Sequence, residues 1–268
     1  MNKIIIANWK MNPVNLEEAL ELFKFSVAEA SKHQNLKVVI CPPFVYLEEL
    51  ARQVPAVNRQ SSSISLGGQD LFWEKSGPYT GEVSIDMLKN FGVTHVLVGH
   101  SDRRYKIGET DEVINKKIGA ALGAGVTPVL LVGERNRGDD RKQVLETQLT
   151  ADLAGLTADQ VGKVLITYEP VWAISTTPGA EPDTPENTLE AIKIIQELLG
   201  FGLAYSAEVA SAAKAGQVSG FRFLYGGSIN KKNVADFLKY PEIFGAVIGG
   251  ASLRKKEFGD VLKIVSSL

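Results

Sequence analysis

Eight short runs rich in β-branched residues recur along this chain, separated by longer segments of helical character, and that alternation constrains the fold more than any other feature. The runs are Lys3–Ala7, Leu36–Cys41, Ser63–Gly67, Thr94–Val98, Thr127–Val132, Val164–Thr167, Phe221–Leu224 and Gly245–Ile248. Strands with helices between them cannot pair as hairpins, so the pattern predicts parallel βα units. Leu16–Ala30 and Pro185–Leu199 are the clearest helices; the second opens with Thr184 as N-cap, Pro185 at the first helical position and Glu186 in the first turn. With 268 residues, 44% of them hydrophobic, and no linker or low-complexity stretch, the chain can bury a full core. The expectation is a closed (β/α)8 barrel forming a single domain over residues 1–268. An open doubly wound sheet gives similar local signals.

A formal net charge of −2 and the absence of a long basic run leave no electrostatic footprint for nucleic acid or for an anionic membrane. The N-terminus reaches polar residues too soon for a signal peptide, and no apolar stretch is long enough to span a bilayer. The lone Cys41 cannot form an internal disulfide, which fits a reducing cytoplasm, the expected location.

Polar or glycine residues collect just after the runs: Asn8 and Lys10, Gln69, His100, Gly133 and Glu134, Glu169, Gly226 and Gly249. Alone, Lys10 reads as a solvated lysine and Glu134 as a tie between loops. In a barrel, however, all of them converge on the rim that carries catalysis. Near the end of the chain, Tyr225-Gly226-Gly227-Ser228 and Ile248-Gly249-Gly250-Ala251-Ser252 each place paired glycines and a serine after an apolar run. Such glycines let backbone N–H groups approach an anion, so the expected ligand is a small phosphorylated molecule.

Of the three histidines, His33 ends a polar helical segment and His95 opens an apolar strand, so surface or structural roles are expected for both. His100 follows Gly99 and precedes Ser101-Asp102-Arg103-Arg104, where a chain leaving a strand would start a helix. A helix N-terminus disfavours imidazolium and leaves a neutral ring able to donate to a carbonyl oxygen. Glu169 leaves a buried strand at the same rim, where partial desolvation makes a carboxylate a better base. The segment after it, from Trp172 to Asp183, is rich in small residues and prolines and is long for a βα loop, which suits a lid.

Assembled in order, Ala7-Asn8-Trp9-Lys10-Met11-Asn12, Tyr79-Thr80-Gly81-Glu82-Val83-Ser84, Val98-Gly99-His100-Ser101-Asp102-Arg103-Arg104, Tyr168-Glu169-Pro170-Val171-Trp172-Ala173-Ile174 and the two glycine motifs make the chain resemble the triosephosphate isomerase family along nearly its whole length. The resemblance implies a TIM barrel that interconverts dihydroxyacetone phosphate and glyceraldehyde 3-phosphate through an enediolate, with no metal or organic cofactor. It implies Glu169 as the base, His100 as the group that polarises the carbonyl and shuttles protons, and Asn8 and Lys10 as the oxyanion environment. It further implies that backbone N–H groups of Ser228, Gly249 and Gly250, with one from Ser175 in the lid, hold the phosphate. A glutamate base, a neutral histidine and a closing loop are the general features of this family.

The chain departs from the family pattern at two functional places. Asp102 stands where Glu is usual, shortening a carboxylate expected to bond towards Lys10, and the lid runs Ser175-Thr176-Thr177-Pro178-Gly179 in place of Gly-Thr-Gly-Lys-Thr. Leu131 stands where a cysteine is common and reads as a core change. Other phosphate-binding barrels share the glycine clamp but fit the remaining motifs poorly, and a catalytically dead scaffold is opposed by the retention of Asn8, Lys10, His100 and Glu169 together. A homodimer is also expected, because Phe72–Glu82 carries aromatic residues on a long loop; the resemblance implies that this loop docks beside the partner's site, with Thr80 bracing Asn8.

Overall fold

The computed structural model of the chain describes residues 3–54, 63–201 and 221–268. Each β-branched run becomes a strand: β1 (Lys3–Asn8), β2 (Leu36–Cys41), β3 (Ile64–Gly68), β4 (Val93–Val98), β5 (Thr127–Val132), β6 (Leu165–Tyr168), β7 (Arg222–Tyr225) and β8 (Ile243–Ile248). Neighbours pair in parallel and in sequence order, and β8 returns to pair with β1 through Ile4↔Gly245 to Ala7↔Ile248. The sheet is therefore a closed TIM barrel and not an open doubly wound sheet.

Alternation along each strand builds two layers of core. Ile4, Ile6, Val39, Cys41, Leu97, Val129, Leu131, Leu165, Leu224 and Val247 form one buried cluster that fills the barrel. The residues between them, among them Ile5, Ala7, Val38, Ile40, Leu130 and Val132, belong to a second cluster shared with the surrounding helices. The helix Leu16–Ala30 covers the residues expected for it, with Asn15 Oδ1 accepting the Glu18 N–H at 2.9 Å, and it buries Leu22 and Phe23 against the sheet layer. The helix Pro185–Phe201 starts where expected, and Thr184 Oγ1 accepts the Asn187 N–H at 3.3 Å. Among the described residues no helix is long and apolar enough to cross a membrane. Because every strand runs the same way, all eight C-terminal ends open onto one rim, and the loops there carry the polar residues singled out from the sequence.

Candidate active site

At the end of β1 the backbone turns sharply. Lys10 has φ 54°, in the left-handed region that a side chain with a Cβ seldom adopts. Three bonds hold it there: Asn8 Oδ1 accepts the Lys10 N–H at 3.0 Å, while Gln69 Nε2 donates to the carbonyls of Lys10 at 2.7 Å and Cys41 at 2.9 Å. Strain of this kind persists where the surroundings over-determine it, as they do here. The turn aims the lysine stem past Gly249, where an added Cβ would meet Lys10 Cε at 3.7 Å, and places Nζ 2.9 Å from Asp102 Oδ2.

After β4, Gly99 takes φ 74° and the chain winds directly into a helical turn whose second half, Arg103–Ile107, is π-wound. His100 caps this turn, its carbonyl accepting the N–H groups of Arg103 at 2.8 Å and Arg104 at 3.1 Å. The ring's Nδ1 accepts the Asp102 backbone N–H at 3.0 Å. A nitrogen that accepts carries no hydrogen, so the ring is the neutral tautomer with its proton on Nε2. Arg104 locks the turn from behind, donating to the carbonyls of Gly99 at 2.7 Å and Leu131 at 3.3 Å and to Asp152 at 2.6 Å, and pairing with Asp111. Burial alone would raise the Asp102 carboxyl, but hydrogen bonds from Lys106 and Lys10 outweigh it and hold the group down to about 2. The shorter acid therefore still reaches Lys10.

His95 is different in kind. It is buried in β4, its Nδ1 lies 2.7 Å from Thr94 Oγ1, and burial, with the charges of Lys37 and Arg222 beyond, lowers it to about 3. It is a core histidine, as its place in an apolar strand implied.

Glu169 is carried just past β6, where the strand ends crowd together: a Cβ on Gly133 would collide with the Glu169 backbone, so only glycine fits there. The residue is only 3% exposed. Oε2 accepts the Ser101 N–H at 2.9 Å, and Oε1 lies 3.3 Å from His100 Nε2. A carboxylate acceptor and a ring N–H donor thus lie side by side in the cleft.

The lid begins as a short turn, Val171–Ala173. Trp172 Nε1 donates to Glu134 Oε1 at 3.1 Å, and the same oxygen accepts Tyr168 Oη at 2.7 Å and Arg141 Nε at 3.2 Å. Glu134, 1% exposed, is thus the tie between loops that its sequence position allowed. Farther along, Thr177 Oγ1 donates to the Val171 carbonyl at 2.8 Å and the Glu181 N–H returns to the Trp172 carbonyl at 3.1 Å, so the two ends of the lid lie side by side.

These groups open onto one cleft of about 690 Å3. Asn8, Lys10, His100, Glu169, Ser175, Ser228, Gly249 and Gly250 all line it. A Cβ on Gly227 would run into the Tyr225 ring, which keeps the loop after β7 low against its strand. Asp102 stands behind Lys10, outside the cleft, and Thr80 is exposed on the loop after β3 away from it. On that loop the aromatics are partly exposed, as expected: Phe72 and Trp73 are half-buried and Tyr79 is exposed. Phe72 stacks on Trp73 at 4.0 Å and packs on Tyr79 at 4.6 Å.

Comparison with known proteins bears on all of this. The family model described as triosephosphate isomerase matches residues 3–265. The chain belongs to the triosephosphate isomerase family. It is 40% identical to the triosephosphate isomerase of Dictyoglomus thermophilum over 97% of this chain and 98% of that protein, and 40% identical to that of Dehalococcoides mccartyi over 98% and 96%. A crystal structure of the triosephosphate isomerase from Bartonella henselae superposes with a TM-score of 0.78 at 30% identity, covering 98% of this chain and 99% of that one.

Within this triosephosphate isomerase fold, two supports of the site were not singled out from sequence. Arg104 reaches partners from Gly99 to Asp152, a set that only the closed barrel brings together. Lys106 Nζ lies 2.7 Å from Asp102 Oδ1, and its signal was the i,i+4 spacing on a helical turn.

Proposed function

We propose that Glu169, His100, Asn8 and Lys10 carry the reaction of this isomerase family in this chain, the interconversion of dihydroxyacetone phosphate and D-glyceraldehyde 3-phosphate. Glu169 takes a proton from the carbon next to the carbonyl, the released electron pair forms the carbon–carbon double bond of an enediolate, and the same carboxyl returns the proton to the neighbouring carbon. His100 Nε2–H donates to the carbonyl oxygen as charge grows there and moves protons between the two oxygens, while Lys10 and Asn8 stabilise that charge. A positioned base contributes about a hundredfold to ten-thousandfold. Donors aimed at the developing oxyanion from a site closed to water contribute further.

The observation that carries this reading is the pairing of Glu169 Oε1 with His100 Nε2 at 3.3 Å while the other ring nitrogen is occupied by the Asp102 N–H. Those contacts suit a base and a neutral acid acting on adjacent atoms. The phosphate would rest on the N–H groups of Ser228, Gly249 and Gly250, with Ser175 added as the lid closes, and binding that dianion favours closure before the enediolate can lose phosphate to water. A coupled assay that follows both directions with purified protein tests the assignment; no turnover of glyceraldehyde 3-phosphate would sink it.

The same reading takes the chain as one catalytic domain working as a cytoplasmic homodimer. What supports the dimer is a set of apolar side chains left in solvent on the loops after adjacent strands: Met11, 90% exposed, after β1, Val45, 82%, after β2, Tyr79 after β3 and Ile107, 65%, after β4. Thr80, next to Tyr79, is exposed and does not line its own cleft, which also fits a role toward a second copy.

A further inference from the structure

Asp102 is one methylene shorter than the acid usual at its place, and yet both of its oxygens are engaged. Oδ2 lies 2.9 Å from Lys10 Nζ, and Oδ1 lies 2.7 Å from Lys106 Nζ, four residues on. We propose that Lys106 is a positioning residue of the catalytic site: it holds the short Asp102 side chain so that Asp102 holds Lys10 at the cleft. This rests on the role given above to Lys10.

This follows from side-chain freedom. A carboxylate has two oxygens with several acceptor positions, and one held at a single oxygen can rotate about its remaining torsions. Holding Oδ1 fixes where Oδ2 points, and Oδ2 is the atom facing Lys10. The turn itself does not depend on Lys106: Arg104 anchors it to Gly99, Leu131 and Asp152, and Gly108 closes it at φ 80°. The Lys106 side chain is 69% exposed, so removing its ammonium leaves no cavity and exposes no core.

The test is Lys106→Met in the full chain, compared with the parent, with Lys106→Arg, and with Lys106→Met combined with Asp102→Glu. An exposed pair is worth little, so KM is expected to rise about threefold while kcat changes less. Lys106→Arg should restore parental behaviour. Asp102→Glu should restore KM, since the longer acid reaches Lys10 unaided. A Lys106→Met enzyme with parental KM overturns the proposal, as does Lys106→Arg behaving no better than Lys106→Met. A parent with no isomerase activity would defeat the functional reading instead, and the affinity of each variant for a phosphorylated substrate analogue would still decide the role of Lys106.

Discussion

Glu169 and His100 touch because a strand end and a helical turn, 69 positions apart in sequence numbering, arrive at the same edge of the cleft, with Ser101 N–H on one carboxylate oxygen and His100 Nε2 beside the other. Glu169→Gln keeps that shape but cannot accept a proton. Turnover should therefore fall by at least about a hundredfold, while a phosphorylated substrate analogue binds nearly as before; near-native turnover would rule Glu169 out as the base. His100→Gln should also act mainly on kcat, whereas His95→Gln should leave chemistry nearly intact, because His95 lies in β4 facing Thr94 and not the cleft. His95 instead marks stability. It is lowered to about 3 by burial, so between its ordinary value near 6.5 and about 3 the unfolded chain binds a proton that the folded chain does not. Its contribution to stability is complete above that range and declines as pH falls through it, by up to about 1.4 kcal/mol per pH unit. Urea unfolding at pH 7, 5.5 and 4.5 should show this decline in the parent and a shallower one in His95→Gln. Equal slopes would mean that His95 can take up its proton without unfolding. Asp102, held down to about 2 by Lys106 and Lys10, works in a lower window, since its contribution is lost only as pH falls from the ordinary carboxylate range toward about 2.

Among elements, the lid is the one whose behaviour its two ends decide. Trp172 is tied to Glu134, whose single engaged oxygen also serves Tyr168 and Arg141, and the far end returns at Glu181 to the Trp172 carbonyl. A segment fixed at its ends with exposed residues such as Ser175, Thr176 and Gly179 between them can move as a body without unfolding its anchors. Protease digestion should therefore cut between Ser175 and Ala180 in the free protein. A phosphorylated transition-state mimic should protect that segment strongly and inorganic phosphate only weakly, whereas equal protection with and without ligand would mean a rigid loop. Trp172→Phe keeps an aromatic side chain but loses the indole N–H that ties it to Glu134, along with some volume, so it should lower kcat and raise the fraction of substrate lost as free phosphate. Strands were legible in the sequence because burial on both faces demands unbroken apolar, β-branched runs, and Leu130-Leu131-Val132 can be little else. The site residues were legible because they follow such runs directly. Glu134 was visible only as a polar residue at the rim: its partners come from β6, the lid and the helix Arg141–Asp152, and no local pattern links them. Lys106 stayed hidden for a similar reason, since its meaning depends on how the turn after His100 is wound.

At the scale of the whole molecule, the barrel is finished on its helical side and unfinished on one flank of its rim. Met11, Val14, Val45, Met87 and Ile107 lie on or beside the loops after β1 to β4, neighbouring strands in the closed sheet, and all are exposed. A stable interface needs roughly 800 Å2 from each partner with an apolar centre, and exposed apolar side chains of this kind are what such a centre would be made of. The flank is also continuous with the proposed site. Lys10, strained at φ 54°, immediately precedes Met11, and the turn after His100 runs on to Ile107, so a partner covering those side chains would steady the loops that bear the proposed catalytic groups. Association and turnover should therefore fall together. Light scattering on the parent should give twice the chain mass, and Val45→Glu combined with Met11→Lys should give the chain mass. That variant should melt as a folded barrel, because neither side chain belongs to either core cluster, yet it should turn over substrate well below the parental rate at equal chain concentration. Raising the variant's concentration should recover activity only to the extent that it restores mass. A monomer with full activity would separate the interface from catalysis and overturn the dimer, while the isomerase family to which the chain belongs would stand on its own evidence.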